Sequence, residues 1–415
     1  MLLCPPLYAI THKRSAPEAT VFKDFSFSAI SAGLVAVLVG FSSSAVIIFQ
    51  ATEAAGTNAE QAASWLWALG LGMGITSIGL SLQHRLPLVT AWSTPGAAVL
   101  AVSLPGFTLG DAIGAFMVTG LLIWLAGATG QFERLTERLS PAIANAMLAG
   151  VLLPFGLDAF KALEHQPWIA GSMLATYILI RLVIPRYTIL TVAAIGLGVT
   201  AALGELDGAN WQWAWGHPVW QAPTWSVSAL LSLALPLFLV TMASQNLPGI
   251  ATLVAAGYRS PTSSMLKWTG STTFFLAPFG AFALNLAAIT AAICMTEDAH
   301  PDKTKRYTAA ISAGLFYTLL GLMAATVVAF FHAVPSEYLA ALAGLALLPT
   351  IGASLSTALV DTREREAALV TFLVTAGNLT LFGLGGAFWG LLLGYAVKGG
   401  RAWMERRQQS TPSPT

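Results

Sequence analysis

The sequence predicts an all-α polytopic membrane protein, and three observations carry that reading. Apolar residues fill 56% of the 415 positions and charged residues only 9%, against roughly a quarter charged in ordinary soluble domains; mean hydropathy is +0.71. Fourteen stretches suit a bilayer core, which takes about 20 apolar residues per helix and fewer where a helix is broken and covered by protein. Threading them in turn from a cytoplasmic N-terminus puts 19 of the 20 lysines and arginines on the inner face, as positive charge distributes in membrane proteins.

Other classes are excluded on the same ground. A net charge of +1, with no basic run interleaved with aromatics, argues against nucleic acid. Cys4 and Cys294 are far apart, the six histidines have no metal spacing, and nucleophile-elbow, Walker and HExxH motifs are missing. No enzyme, metal or cofactor is expected.

Residues 1–21 read as a cytoplasmic tail, because MLLCPPLYAI is too short and too rich in proline to span or to serve as a signal. Spans follow near residues 27–50, 64–82, 87–102, 111–130, 141–157, 166–184, 188–204, 226–247, 264–277, 279–294, 308–332, 336–355, 367–382 and 384–398. Only Lys161 then falls outside, and both termini are cytoplasmic. The loop before the eighth span carries Trp211, Trp213, Trp215, Trp220 and Trp225 without a lysine or arginine, as an outer interface does.

An even span count with both ends on one side invites two halves of seven in opposite orientation. SSSAVIIFQATEAAG at 42–56 lies on ASQNLPGIATLVAAG at 243–257, a shift of 201; PLVTAWSTPGAAVL at 87–100 lies on PFGAFALNLAAITA at 278–291, a shift of 191 that pairs Thr94 with Asn285. SPAIANAMLAGVLLP at 140–154 similarly matches PSEYLAALAGLALLP at 335–349. The three matches keep the same order and nearly the same offset, which supports a seven-plus-seven inverted repeat.

Within segment 3, TAWSTPGAAVLA places Pro95 and Gly96 after Ser93 and Thr94. Proline lacks an N–H and disfavours helix at the preceding residue, so extended chain should give way here to a helix start. Segment 10 opens on Pro278 and Gly280 and sets Asn285 before LAAITAAI. Segments 3 and 10 are each expected to be half strand and half helix, with Thr94 and Asn285 at cap-like positions. Two such helix starts meeting at mid-membrane would offer free N–H groups to an anion.

Segment 8 adds the polar run SQNLPG, in which Gln245 and Asn246 are costly in lipid and suit a cavity; segment 1 adds Ser42, Ser43 and Ser44, with Gln50 on the face of Ser43. A serine in a membrane helix is more often a packing or back-bonding residue. Trp92, Phe279 and Phe282 flank the breaks and could stack on a ring, although such aromatics are more often core or lipid-facing. The glycines of GLGMG, Gly70 to Gly74, suit close helix packing, and Asn145 and Asn378 suit bonds across helices.

TAWSTPGAA, SQNLPGIATL and PFGAFALNLAAITAAIC, in that order, resemble the benzoate:proton symporter family of bacterial inner membranes, over about residues 22–398. More distantly the chain is similar to the uracil and xanthine permease fold. The resemblance implies a core domain from 22–136 and 226–333, a gate domain from 137–205 and 334–398, an outer Trp-rich loop at 206–225 and a cytoplasmic C-terminal tail at 399–415. It also implies a substrate held between segments 1, 3, 8 and 10, by Ser43, Trp92, Ser93, Thr94, Gly96, Gln245, Asn246, Phe282, Asn285 and Leu286, with the core moving as an elevator. Expected partners are an aromatic carboxylate, a proton and the bilayer, and the fold admits a homodimer. Nucleobase permeases carry glutamates in segments 8 and 10, where this chain has Ser244 or Gln245 and Leu284 beside Asn285. Their loss favours a carboxylate substrate and leaves the proton site unassigned. The alternative is a nucleobase or inorganic-anion carrier of the same fold; an anion channel would need a continuous polar pore, whereas these polar residues gather at one depth.

Overall fold

In hydrocarbon the backbone has no water to bond, so apolar runs satisfy it internally as helices. A computed structural model describes residues 21–130, 140–206, 213–382 and 384–410. Its first half runs α1 (Phe27–Ala54), α2 (Ala59–His84), β1 (Thr90–Trp92), α3 (Thr94–Ser103), α4 (Leu109–Ala128), α5 (Pro141–His165), α6 (Pro167–Val183) and α7 (Thr188–Ala202). The second runs α8 (Val227–Val254), α9 (Thr262–Leu276), β2 (Leu284–Leu286), α10 (Ile289–Cys294), α11 (Tyr307–Leu322), α12 (Ala324–Ala333), α13 (Ser336–Val360), α14 (Arg365–Ala376) and α15 (Gly386–Ser410). Among the described residues, five helices are long and apolar enough to cross a membrane, or seven if each bent pair is one span. The remaining expected segments correspond to shorter helices, to α15, which runs 25 residues, and to the two strand-and-helix pieces.

Local chemistry sets the helix starts. Asn58 and Gln61 exchange side-chain and backbone bonds of 2.8 and 3.0 Å at the head of α2, and Thr108 with Asp111 forms the same reciprocal box at α4. Proline occupies the first turn of α3, α5 and α6, where its missing N–H costs nothing.

The packing repeats itself. α2 lies on α11 as α9 lies on α4; α5 and α13 pack on one another; α6 with α7 is matched by α14 with α15. Each partner is replaced by the element seven segments on, as an inverted repeat demands. Small residues permit the closest crossings. A Cβ on Gly70 would lie 2.6 Å from Gly321 Cα, and one on Gly270 would lie 2.4 Å from Trp124 N. The GLGMG glycines are therefore packing residues.

Several expectations need correction. α14 ends at Ala376, and Asn378 beyond it takes a left-handed turn at φ 46°, outside the helix in which it was expected to bond across to a neighbour. Asn145 Nδ2 donates to Pro141 O one turn back at 2.8 Å, so it too makes no bond across helices. The eleventh segment breaks into α11 and α12 with a 64° bend, and α15 continues as helix past residue 398. Cys4, Trp211 and nearly all of the expected N-terminal tail lie outside the described residues.

At one end of the bundle, residues 213–225 form a strap. Thr326 Oγ1 bonds both the N–H and the carbonyl of Ala214 at 3.0 Å, and Gly216 N donates to Leu322 O. Val219 N donates to Ser64 Oγ, Gln221 N to Pro278 O, and Trp65 Nε1 to Gln221 Oε1. Thr224 closes the strap on Gly110 O and Asp111 Oδ1. Trp213, Trp215, Trp220 and Trp225 stay exposed, as interface anchors do. At the other end, the Tyr307 hydroxyl donates to Asp24 Oδ2 at 2.7 Å, with Lys305 at 3.4 Å and Arg85 at 3.7 Å. The hydrogen bond from Tyr307, helped by the two cations, holds the Asp24 carboxyl below the usual range against its partial desolvation.

Candidate functional site

β1 and β2 pair antiparallel with Thr90 opposite Leu286, Ala91 opposite Asn285 and Trp92 opposite Leu284. Ser93 N→Ala283 O at 2.8 Å and Ala287 N→Val89 O at 3.0 Å extend the ladder by one bond at each end. A two-stranded ribbon has two open edges, which an apolar interior cannot leave bare. Side chains close them. Ser77 and Ser81 of α2 accept from Thr90 N and Leu88 N; Thr273 of α9 and Asn246 of α8 accept from Leu284 N and Leu286 N.

α3 and α10 begin at opposite ends of this ribbon, and Val89 to Ser93 spans about 13 Å of extended chain. Ser93, with its oxygen bonded by Gly96 N at 3.1 Å and by Thr241 Oγ1 of α8 at 2.9 Å, is the cap of α3. Thr94 is already inside the helix, and Asn285 lies within β2, so neither is a cap as expected. A Cβ on Gly96 would lie 2.7 Å from Ser93 Oγ and 2.9 Å from Ser93 Cβ, so an added side chain would press on the cap of α3. α10 has six residues and no side-chain cap.

Two of the polar residues of α8 and α1 are structural. Asn246 is fully buried with both amide atoms engaged, Oδ1 accepting from Leu286 N at 3.0 Å and Nδ2 donating to Met242 Sδ at 3.2 Å, so it positions β2 and keeps one N–H free of these partners. Trp92 Nε1 donates to Ser44 Oγ at 2.8 Å, and Ser44 in turn bonds Gly40 O. The side chain of Ser43 lies outside the described residues. Phe282 is buried against Phe116, with ring centroids 5.9 Å apart, and Leu286 points with Leu284 to the pleat face opposite Asn285.

What remains unsatisfied is informative. Both amide atoms of Asn285 are buried without a protein hydrogen-bond partner, and so is Ser244 Oγ. An unpaired buried polar group costs roughly 1 to 3 kcal/mol. Ser244 belongs to a π-helical turn, Met242–Asn246, that packs on β2 and also on α5. Such turns favour functional positions; half-buried Gln245 lies in the same turn. The sequence reading preferred Asn246 to Ser244, and nothing in a six-residue polar run tells which members are consumed by their neighbours. It also passed over Ser77, Thr241 and Thr273, ordinary hydroxyls that become edge and cap partners only in three dimensions. A cavity of about 540 Å³ bordered by Gly130, Ser260, Thr262 and Lys267 sits at the ends of α4 and α9, away from the ribbon.

Residues 23–399 match the family model described as benzoate membrane transport protein. The chain is 49% identical over 363 residues to the inner membrane protein YdcO of Escherichia coli, covering 88% of this chain and 93% of that one. It is 40% identical over 375 residues to the benzoate membrane transport protein of Acinetobacter baylyi, covering 90% and 95%. Among solved structures, the transmembrane domain of the cyanobacterial bicarbonate transporter BicA aligns with TM-score 0.59 at 16% identity, over 91% of this chain and 98% of that one. The murine anion transporter Slc26a9 in its inward-facing state aligns with TM-score 0.62 at 14% identity, over 97% and 74%. These two show a shared fold, the seven-plus-seven inverted repeat. With matches of this extent, the chain belongs to the benzoate membrane transport family.

Proposed function

We propose that this protein is a secondary transporter that imports an aromatic carboxylate of the benzoate type with a proton across a bacterial inner membrane. The observation that carries the reading is the buried, unpartnered amide of Asn285, joined by the free hydroxyl of Ser244. An amide N–H and a serine O–H are donors to a carboxylate, and segments 8 and 10 hold no Asp or Glu to repel it. The names of the relatives supply the benzoate class and the inner membrane.

In this reading the chain makes fourteen spans with both termini cytoplasmic. α1–α4 with α8–α12 form a core that moves as an elevator against a gate of α5–α7 and α13–α15. The ribbon lies in the core beside the gate, since α3 and the π-helical turn both touch α5. A cysteine placed at Asp302 is then expected to react with an impermeant label only after the cells are opened; labelling in intact cells would reverse the topology.

Proton coupling needs no dedicated carboxylate in the membrane. An aromatic acid, with a pKa roughly like that of Glu at about 4.3, crosses as anion plus proton or as the neutral acid with the same stoichiometry. Asp111 is engaged by Thr108 and Thr224 as a cap and strap anchor. In proteoliposomes an inward pH gradient is expected to drive uphill benzoate accumulation, and Glu53→Gln and Asp111→Asn to retain it. Equilibration without accumulation would indicate a channel, and uptake of bicarbonate or uracil in place of benzoate would move the substrate class. Loss of pH-driven uptake with intact binding in either variant would make that residue the coupling site.

A further inference from the structure

The inverted repeat makes the two strands mates of one another, but the ribbon is chemically one-sided. Ser77 bonds Thr90 N at 3.0 Å in the first half, and Thr273 bonds Leu284 N at 3.1 Å in the second. Equating Thr90 with Leu284 gives a shift of 194, and the pairing register then puts the pseudo-twofold axis through Ala91 and Asn285. The residue that corresponds to Asn285 is therefore Ala91, and it is also the residue directly across the ladder.

Ladder bonds at Ser93–Ala283 and Ala287–Val89 alternate with this pair, which makes Ala91 and Asn285 a hydrogen-bonded pair. Cα atoms in such pairs stand about 5.5 Å apart with side chains on the same face. One position holds an unpartnered amide that is 0% exposed; its mate holds a methyl group. A ligand bonded to the amide lies over that methyl. Two amides would hold two polar ends, whereas one amide beside one methyl holds a molecule with a polar end and an apolar body.

The geometry points to Ala91 as the residue that sets the size of the apolar body, and so decides which ring acids the site accepts. This rests on the reading of Asn285 as the carboxylate seat. Each methylene added at residue 91 takes its volume from the ring, and each one removed returns it. Because a methylene in a shaped apolar pocket discriminates by about 10- to 200-fold, even conservative changes are measurable. Valine suits a strand at least as well as alanine, so Ala91→Val leaves the ribbon itself favoured.

The test measures affinities of benzoate and 2-naphthoate by titration calorimetry on purified full-length protein, with melting temperature recorded alongside. Ala91→Val is expected to weaken benzoate at least about tenfold and to lower the naphthoate-to-benzoate affinity ratio; Ala91→Gly is expected to raise that ratio about fivefold or more. A merely structural role moves both acids together. An unchanged ratio in both variants overturns the inference, and if Ala91→Val fails to fold, Ala91→Gly decides alone. Asn285→Ala is run in parallel. Unchanged benzoate affinity there removes the seat itself, whereas weakened affinity there with unmoved ratios at Ala91 removes only the size role.

Discussion

Asn285→Asp is expected to abolish benzoate binding at neutral pH and to recover part of it as the pH falls. The substitution keeps the size of a side chain that is fully buried in β2 and exchanges a neutral amide for a carboxyl. Ionised, the new group faces the substrate carboxylate at close range and repels it. Burial raises the pKa of a carboxyl above its ordinary value, so the neutral form returns while the solution is still only mildly acidic. Protonated, it again offers one O–H donor, which is why recovery follows falling pH. Asn285→Ala removes the donor without adding charge and should lose a hydrogen bond to a charged group, about 1.5 to 3 kcal/mol, or tenfold or more in affinity. Thr94→Val, at a residue that is not the cap, should change little. Calorimetric affinities across a pH series, with melting temperatures on the same samples, check all three variants. Unaltered affinity in Asn285→Asp at neutral pH would defeat the carboxylate seat.

A larger effect, on folding instead of binding, is expected where α4 crosses α9. A Cβ built on Gly270 would stand 2.4 Å from Trp124 N and 2.7 Å from Gly120 O, and one on Gly120 would stand 2.7 Å from Phe274 N. Those obstacles are backbone atoms, which cannot rotate aside as a side chain can. Gly270→Ala must push the helices apart, with an overpacking cost of about 1 to 3 kcal/mol. Gly270→Leu should leave no folded protein to purify. Gly400→Leu, with no atom within 4 Å of its added Cβ, is the matched control. Yield and detergent melting temperature decide the matter; a Gly270→Leu protein that melts like its parent would mean that the crossing is looser than described.

Much of the architecture was legible because membrane physics writes it in one dimension. Apolar runs and Pro95–Gly96 after Ser93 located the helices and the strand-to-helix break in segment 3. Register was not legible. In runs of Ala and Leu a three-residue slip changes few matches: letter alignment lays Asn285 on Thr94 with a shift of 191, whereas equating the strand residues that Ser77 and Thr273 bond gives 194 and lays it on Ala91. The information that resolves the slip is non-local. It resides in Ser77 reaching Thr90 and Thr273 reaching Leu284. For the same reason the polar run could not reveal that Asn246 bonds Leu286 N and Met242 Sδ. The π-helical turn that frees Ser244 left no mark in a stretch whose apolar spacing reads as ordinary helix.

The strap at residues 213–225 constrains the order in which the chain can be completed. Synthesis runs from the N-terminus, and domains assemble in that direction as they emerge. When the strap first emerges, Ser64, Trp65, Gly110 and Asp111 are already made, but Pro278, Leu322 and Thr326 are not. Ala214 waits for a partner 112 residues further along the chain. Until α11 and α12 have entered the membrane, the backbone groups of Ala214 and Gly216 have only water or lipid headgroups to bond, and Gln221 N waits for Pro278. The first half therefore cannot finish its own surface, and the long connection between the repeats acts as a late clasp, fastened only when the second half is in place.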